Sequence, residues 1–389
     1  MREKRKLMAL SIMILMLSVI SISGCGATQK DSSSNPQQVE ENGGQNSEAA
    51  GKPEESTSFK AGDTVAGFTV DSVSESASLQ SRIYNFSHEA SGATLVWIQN
   101  DDPELAFSIS FRTPYVDETD TNHIFEHAII SSSEKYPGTT LFFDLLGKSY
   151  NTFVNAFTYP CFTTYPVASE NEEQFIRMVD VYMSCMAAPG ILTDENLFKR
   201  EALRYELDSP EGEIRMTGTV FAEDNAYLTD LGSEAANNVL DALFPGQYAA
   251  NAIGRMHRNY KELTYESAIA TYERAYHFDN SLILLYGDMD GERVLDFLDS
   301  EYLADAGVNG TDLSAYEDPA TEDGHIELTA PVPAYEGSAV ENASRIDYAF
   351  SMEESGWEDL LSWMVLADIL NQENEAFFTN LKAQGIQNP

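Results

Sequence analysis

The sequence predicts an α+β fold, and three observations predict it. Strand-like patterns fill residues 59–114, helical periodicity dominates 120–278, and the apolar run Leu282–Tyr286, closed by Gly287 and Asp288, reads as a buried strand that rejoins the same layers. At 389 residues with 43% hydrophobic composition, the chain can bury one large core and part of a second, so two domains are expected.

Residues 1–24 read as an export signal. Arg2, Lys4, Arg5 and Lys6 precede an apolar run from Leu7 to Ile22, followed by small residues. Ile22-Ser-Gly-Cys25 matches the bacterial lipobox, in which cleavage precedes a cysteine that takes up lipid. This predicts a chain anchored to the cell membrane through Cys25 and facing away from the cytoplasm. An ordinary secretory signal, or an uncleaved anchor for which the apolar run is marginal, are the alternatives. Residues 25–58 are rich in Ser, Asn, Gln, Gly and Glu with few large apolar side chains, so no core can form there and the stretch reads as a disordered polar tether.

Residues 59–303 form the first expected domain. Thr94–Ile98 and the alternating Phe107, Ile109 and Phe111 flank the turn-forming Asn100–Pro103 and read as a hairpin. A Thr- and aromatic-rich stretch at 151–168 reads as extended. Ser169 followed by Glu172 predicts a capping box for a helix through Phe175, Met178, Val179 and Tyr182, and Thr264 opens another through Ile269 to Tyr276. Residues 304–336, rich in Gly, Pro and acids, read as a linker. Beyond it, Arg345–Met352 resembles a strand and Trp357–Leu381 a long helix, so 337–389 reads as an incomplete second domain.

The charge balance excludes one class of partner. With 63 acidic against 23 basic residues and a net charge of -40, the chain repels phosphate backbones, and nucleic acid is not an expected ligand. Cys161 and Cys185, the cysteines besides Cys25, are too few for a disulfide framework and read as buried free thiols, with pairing undecided by spacing.

His123-Ile-Phe-Glu126-His127 carries the chemistry. On a helix, residues four apart share a face, so both imidazoles can point at one ion with Glu126 beside them. Two imidazoles and a carboxylate suit Zn2+, and Glu126 is then the base that takes a proton from the zinc-bound water as it attacks a peptide carbonyl. This letter order is the inverzincin signature. Two histidines four apart are also common as plain surface residues. His88, His257, His277 and His325 have no such partner and read as structural or solvent-exposed.

The surroundings extend the motif. His123–His127, Ser133-Glu-Lys-Tyr-Pro137, the block Phe143–Pro160, Tyr165-Pro-Val-Ala-Ser169 and Val179-Asp-Val-Tyr182 together resemble the pitrilysin/insulinase metallopeptidases, and specifically their presequence-protease branch. Weaker similarity runs through Leu263-Thr-Tyr265 and Tyr286-Gly-Asp288. The resemblance implies an α+β zinc metallopeptidase domain, with an antiparallel-rich sheet covered by helices, followed by the start of a second similar domain. It implies hydrolysis of unfolded peptides within an enclosed chamber.

It also implies a more distant third zinc ligand. In that branch the ligand lies in a Gly-Val-Val-x-Asn-Glu-Met segment, which Gly218-Thr-Val-Phe-Ala-Glu-Asp224 matches, making Glu223 the ligand; Glu206 is the runner-up, because the family's Asn and Met are missing here. Asn155 to Thr158 match the family's Asn-Ala-Phe-Thr edge strand, whose Asn155, Ala156 and Phe157 are the implied substrate-binding residues, where an extended peptide pairs through its backbone. The same residues, and Phe153 and Tyr159, could instead simply pack the sheet. Relatives of this kind carry a C-terminal half that closes the chamber, so a polypeptide of that kind is an expected partner. The alternative is a peptide-binding lipoprotein of the same fold, truncated or non-catalytic without that half.

Overall fold

In the computed structural model, residues 58–227, 231–245, 259–316, 324–331, 346–347, 349, 351, 356–370 and 376–385 are described. The chain divides into two compact units, one of residues 52–349 and another that includes 350–389.

The larger unit opens with strands β1 (Thr64–Val65), β2 (Phe68–Ser76), β3 (Ser81–His88), β4 (Thr94–Gln99) and β5 (Leu105–Arg112). Helices α1 (Thr121–Ile129) and α2 (Leu141–Lys148) follow, then β6 (Phe153–Val154), β7 (Phe157–Thr158) and β8 (Phe162–Ser169). Next come α3 (Glu172–Ala187), α4 (Glu195–Glu201), the ribbon β9 (Arg204–Glu206) with β10 (Arg215–Thr217), α5 (Thr219–Tyr227) and α6 (Leu231–Leu243). Helix α7 (Tyr265–Ala275), strand β11 (Ser281–Tyr286) and helix α8 (Gly291–Leu298) complete the described regular structure of this unit, apart from short turns of helix.

Among the described residues, nine strands form one sheet in the order β1-β2-β3-β4-β11-β5-β8-β6, with β7 also paired to β8. All pairings are antiparallel except β4 with β11, so the fold is α+β with an antiparallel-rich sheet. Strict alternation along β5 and β11 buries Leu105, Phe107, Ile109 and Phe111, and Ile283 and Leu285, on one face. That face meets the helices. Tyr276 at the end of α7 stacks near Phe111 and Phe125, and its hydroxyl meets that of Tyr165 at 2.7 Å. Short α1 is thereby held by packing of Ile124, Phe125, Ala128 and Ile129 rather than by its own length.

The expected hairpin of Thr94–Ile98 with Phe107–Phe111 is not formed. Strand β11 lies between them, parallel to β4 and antiparallel to β5. An apolar strand such as Leu282–Tyr286 needs partners on both edges, and the 100–104 loop is long enough to step over it; Tyr286 anchors there on Asp102 (2.8 Å). Ser169 does not cap α3 either. Asn171 is the cap, accepting the Gln174 N–H at 2.9 Å, while the Ser169 hydroxyl donates to the Tyr150 carbonyl. Thr264 caps α7 as expected, in a reciprocal box with Ser267. Both cysteines are free, Cys185 buried but Cys161 exposed in the β7–β8 turn, so the buried reading holds for Cys185 alone.

Residues 310 and 311 donate backbone N–H groups to Asp279, and Leu313 is buried. Half of the expected strand at 345–352 lies outside the described residues, and its described residues 346, 347, 349 and 351 are not in a strand; the export segment, and the tether apart from residue 58, also lie outside the described residues. In the smaller unit, the expected helix is present as α9 (Trp357–Leu370) and α10 (Ala376–Ala383), with 371–375 between them outside the described residues. Val365, Leu366 and Ile369 of α9 are exposed. No helix among the described residues is long and apolar enough to cross a membrane.

Candidate metal centre

Helix α1 places His123, Glu126 and His127 together, with candidate ligand atoms within 4.8 Å of one another. The helix buries its apolar stripe against the sheet and α7, which turns the 123/127 face toward α5. There Glu223 brings Oε2 to 3.4 Å from His123 Nε2 and 3.8 Å from His127 Nε2. The two imidazoles stand edge to face, 4.8 Å between centroids. Glu206 is elsewhere engaged, on β9, paired with Arg204 at 2.7 Å.

The far side of each histidine also meets a carboxylate. Asp120 Oδ2 is 3.5 Å from His123 Nδ1, and Glu201 Oε2 is 3.4 Å from His127 Nδ1. Each ring is thus oriented so that its Nε2 faces Glu223. Burial works against charge on His123, but Asp120 beside it, with Glu126 and Glu223 nearby, raises its imidazole to about 9. Glu201 is held down to about 2: burial opposes its charge, and hydrogen bonds from His127, Thr219 and Arg200 outweigh that cost.

Glu126 is buried, and burial pushes its carboxyl up from the ordinary range against the pull of the two imidazoles. Its Oε2 accepts the Thr158 hydroxyl at 2.6 Å, and its Oε1 lies 4.0 Å from His127 Nε2. The donor set of two imidazole nitrogens and a carboxylate oxygen, each imidazole backed by a second carboxylate, fits zinc.

Asn155, Ala156 and Phe157 link β6 to β7 at the rim of the sheet. The Asn155 N–H donates to Pro166, its carbonyl accepts the Tyr182 hydroxyl at 3.0 Å, and its side-chain oxygen accepts the Ala156 N–H at 2.9 Å. Ala156 is buried and Phe157 half-buried, stacked 6.3 Å from exposed Phe153. Period-two alternation puts Thr158 on the opposite face from Phe157, toward α1.

Two residues of this centre, Asp120 and Glu201, were not singled out in the sequence, and Thr158 entered only as the last residue of the expected edge strand, with no role of its own. Asp120 precedes a helix and reads as a cap, Glu201 is one glutamate among many, and only the alternation after Asn155 marks Thr158 as inward-facing.

The sequence matches the family model Insulinase (Peptidase family M16) over residues 116–240 and the model Peptidase M16 inactive domain over 262–387. It is 33% identical over 245 residues to Protein HypA of Clostridium perfringens (strain 13 / Type A), covering 63% of this chain and 25% of that protein. Presequence protease 1, chloroplastic/mitochondrial, of Arabidopsis thaliana is 35% identical over 224 residues, covering 58% of this chain and 21% of the relative. The mitochondrial presequence protease of Drosophila melanogaster is 27% identical over 330 residues, or 83% and 32% respectively. The matched stretches thus span between about a fifth and a third of these relatives. A crystal structure of pitrilysin aligns with a TM-score of 0.49 and 13% identity, over 68% of this chain and 26% of that one.

Proposed function

Because this chain belongs to the insulinase (M16) peptidase family, we propose that it is a zinc-dependent endopeptidase acting on unfolded peptides, with His123, His127 and Glu223 holding the ion and Glu126 serving as general base. The observation that carries the reading is the approach of one Glu223 oxygen to both Nε2 atoms, 3.4 and 3.8 Å away, beside the buried Glu126.

When bound there, zinc supplies Lewis acidity that lowers the pKa of water and polarises a carbonyl. The protein's own part is positioning and proton transfer. His123 and His127 present Nε2 because Asp120 and Glu201 occupy the Nδ1 sides. Glu126, desolvated and raised, is suited to take a proton from attacking water and pass it to the leaving amine. The β6–β7 rim at Asn155, Ala156 and Phe157 lines up an extended peptide by backbone pairing. The lipid on Cys25, outside the described residues, is likewise proposed as the anchor that holds the enzyme at the membrane, outside the cytoplasm.

Glu126→Gln should retain stoichiometric zinc and lose turnover of an unstructured peptide by about 10² or more, since a base but no ligand is removed. Turnover retained in that variant would sink the mechanism. Glu223→Gln should lose zinc and Glu206→Gln keep it; the reverse pattern would overturn the ligand assignment.

A further inference from the structure

We propose that Thr158 is the positioning residue for Glu126: its hydroxyl binds one carboxylate oxygen and so turns the other toward the face shared by the two histidines. The inference rests on the peptidase reading above. Thr158 Oγ1 donates to Glu126 Oε2 at 2.6 Å, the length of a charge-assisted hydrogen bond, and leaves Oε1 as the oxygen 4.0 Å from His127 Nε2.

The contact joins two elements whose register is fixed without it. Asn122 of α1 donates to the Thr113 carbonyl at 2.6 Å, and the Thr113 hydroxyl meets that of Thr163 at 2.7 Å. Thr163 on β8 is the pairing partner of Thr158 on β7. Helix and strand are therefore already aligned when the Thr158 hydroxyl reaches Glu126, and what remains for that bond to determine is the plane of the carboxylate.

Shape alone does not call for a hydroxyl here. Thr158 is buried, and valine would fill nearly the same volume and suit a strand equally well. Removing the hydroxyl strips a buried carboxylate oxygen of a donor and frees the group to turn, so that the proton-accepting oxygen is in place for a smaller part of the time. Thr158 also directly follows Asn155–Phe157, so the segment proposed to align the peptide is the one that sets the base.

The test compares Thr158→Val and Thr158→Ser with the unaltered chain, by peptide kinetics, zinc content, thermal melting and crystal structure. Thr158→Val should lower kcat about tenfold or more with KM within about twofold, while zinc is kept and the melting temperature falls only by the few degrees that one lost buried hydrogen bond costs, and Thr158→Ser should restore most of the loss. In the crystal, Glu126 should turn Oε1 away from His127 in the valine variant only. An unchanged kcat, a loss confined to KM, no rescue by serine, or a loss of zinc matching that in kcat would each overturn the proposal. Should the unaltered chain show no turnover, alone or with a polypeptide resembling the family's C-terminal half added, the peptidase reading fails, and the crystal comparison alone still decides whether Thr158 orients Glu126: an unchanged carboxylate in the valine variant refutes it.

Discussion

Asp120 stands at the N-cap of α1, yet its carboxylate makes no capping hydrogen bond; it faces His123 Nδ1 at 3.5 Å and accepts the Tyr115 hydroxyl at 2.8 Å. Its backbone is left-handed, with φ 60° and ψ 30°, a region that Asp and Asn tolerate better than most residues. Asp120→Asn therefore keeps the backbone and removes the charge together with one of the two acceptor oxygens that face His123 and Tyr115. Carboxylates behind metal-binding histidines commonly contribute about 10- to 100-fold in affinity, and Asp120→Asn should weaken zinc binding by that factor. Competition against a chelator of known affinity measures it, and unaltered affinity would mean that Asp120 serves the fold alone.

Glu201 gives the pH dependence. Its carboxyl ionises at about 2 in the folded chain, against an ordinary 4.5. As pH falls, the unfolded chain takes up the proton first, so this group's contribution to stability is complete above about 4.5 and disappears toward about 2. In the metal-free chain Glu201→Gln should lower unfolding stability at neutral pH by on the order of 2 kcal/mol, and the gap should close as pH falls through that window. Urea titrations at several pH values read this out; a gap that stays constant in acid would assign it to lost packing instead.

The sequence carried the shared face of His123, Glu126 and His127 on α1 well because two histidines and a glutamate at helical spacing must share a side wherever the helix packs. Glu223 became legible only through the resemblance of its neighbours, since 96 residues separate it from His127 and no periodicity spans that distance. The carboxylates behind the histidines were invisible for the same reason. Asp120 mimics a cap, and Glu201 meets His127 because α1 and α4 pack together. Strand order failed where a non-local partner outcompeted a local one: β4 and β5 are sequence neighbours, and β11 takes the place between them from about 170 residues away.

The proposed lipid anchor on Cys25 makes a separate prediction. Membrane-fraction protein should begin at Cys25 and carry a diacylglyceryl thioether there, visible as a mass increment on the N-terminal peptide. Cys25→Ser should release the chain from the membrane or leave it unprocessed. A mature protein with Cys25 unmodified or cut away would refute lipid anchoring and leave the metal centre untouched.

Gly218, just before α5, tests how Glu223 is positioned. A Cβ at this glycine would lie 2.1 Å from the Ala202 carbonyl oxygen and 3.2 Å from that of Glu201, both backbone atoms that no rotamer change can move. The chain here follows the end of α4 so closely that only a hydrogen fits, and Gly218 accepts the Ala222 N–H at 2.9 Å in the first turn of α5. Gly218→Ala must push α5 away from α4, which carries Glu223 from the two histidines and strains the Glu201–His127 contact together. A cost of about 1–3 kcal/mol in stability is expected for such overpacking, with zinc affinity falling alongside it. Gly147→Ala is the matched control, because that glycine lies exposed in α2 with nothing within 4 Å of its missing Cβ, and helix propensity there favours alanine by up to about 1 kcal/mol. Equal effects at the two positions would show that the close approach of α4 and α5 does not govern where Glu223 sits.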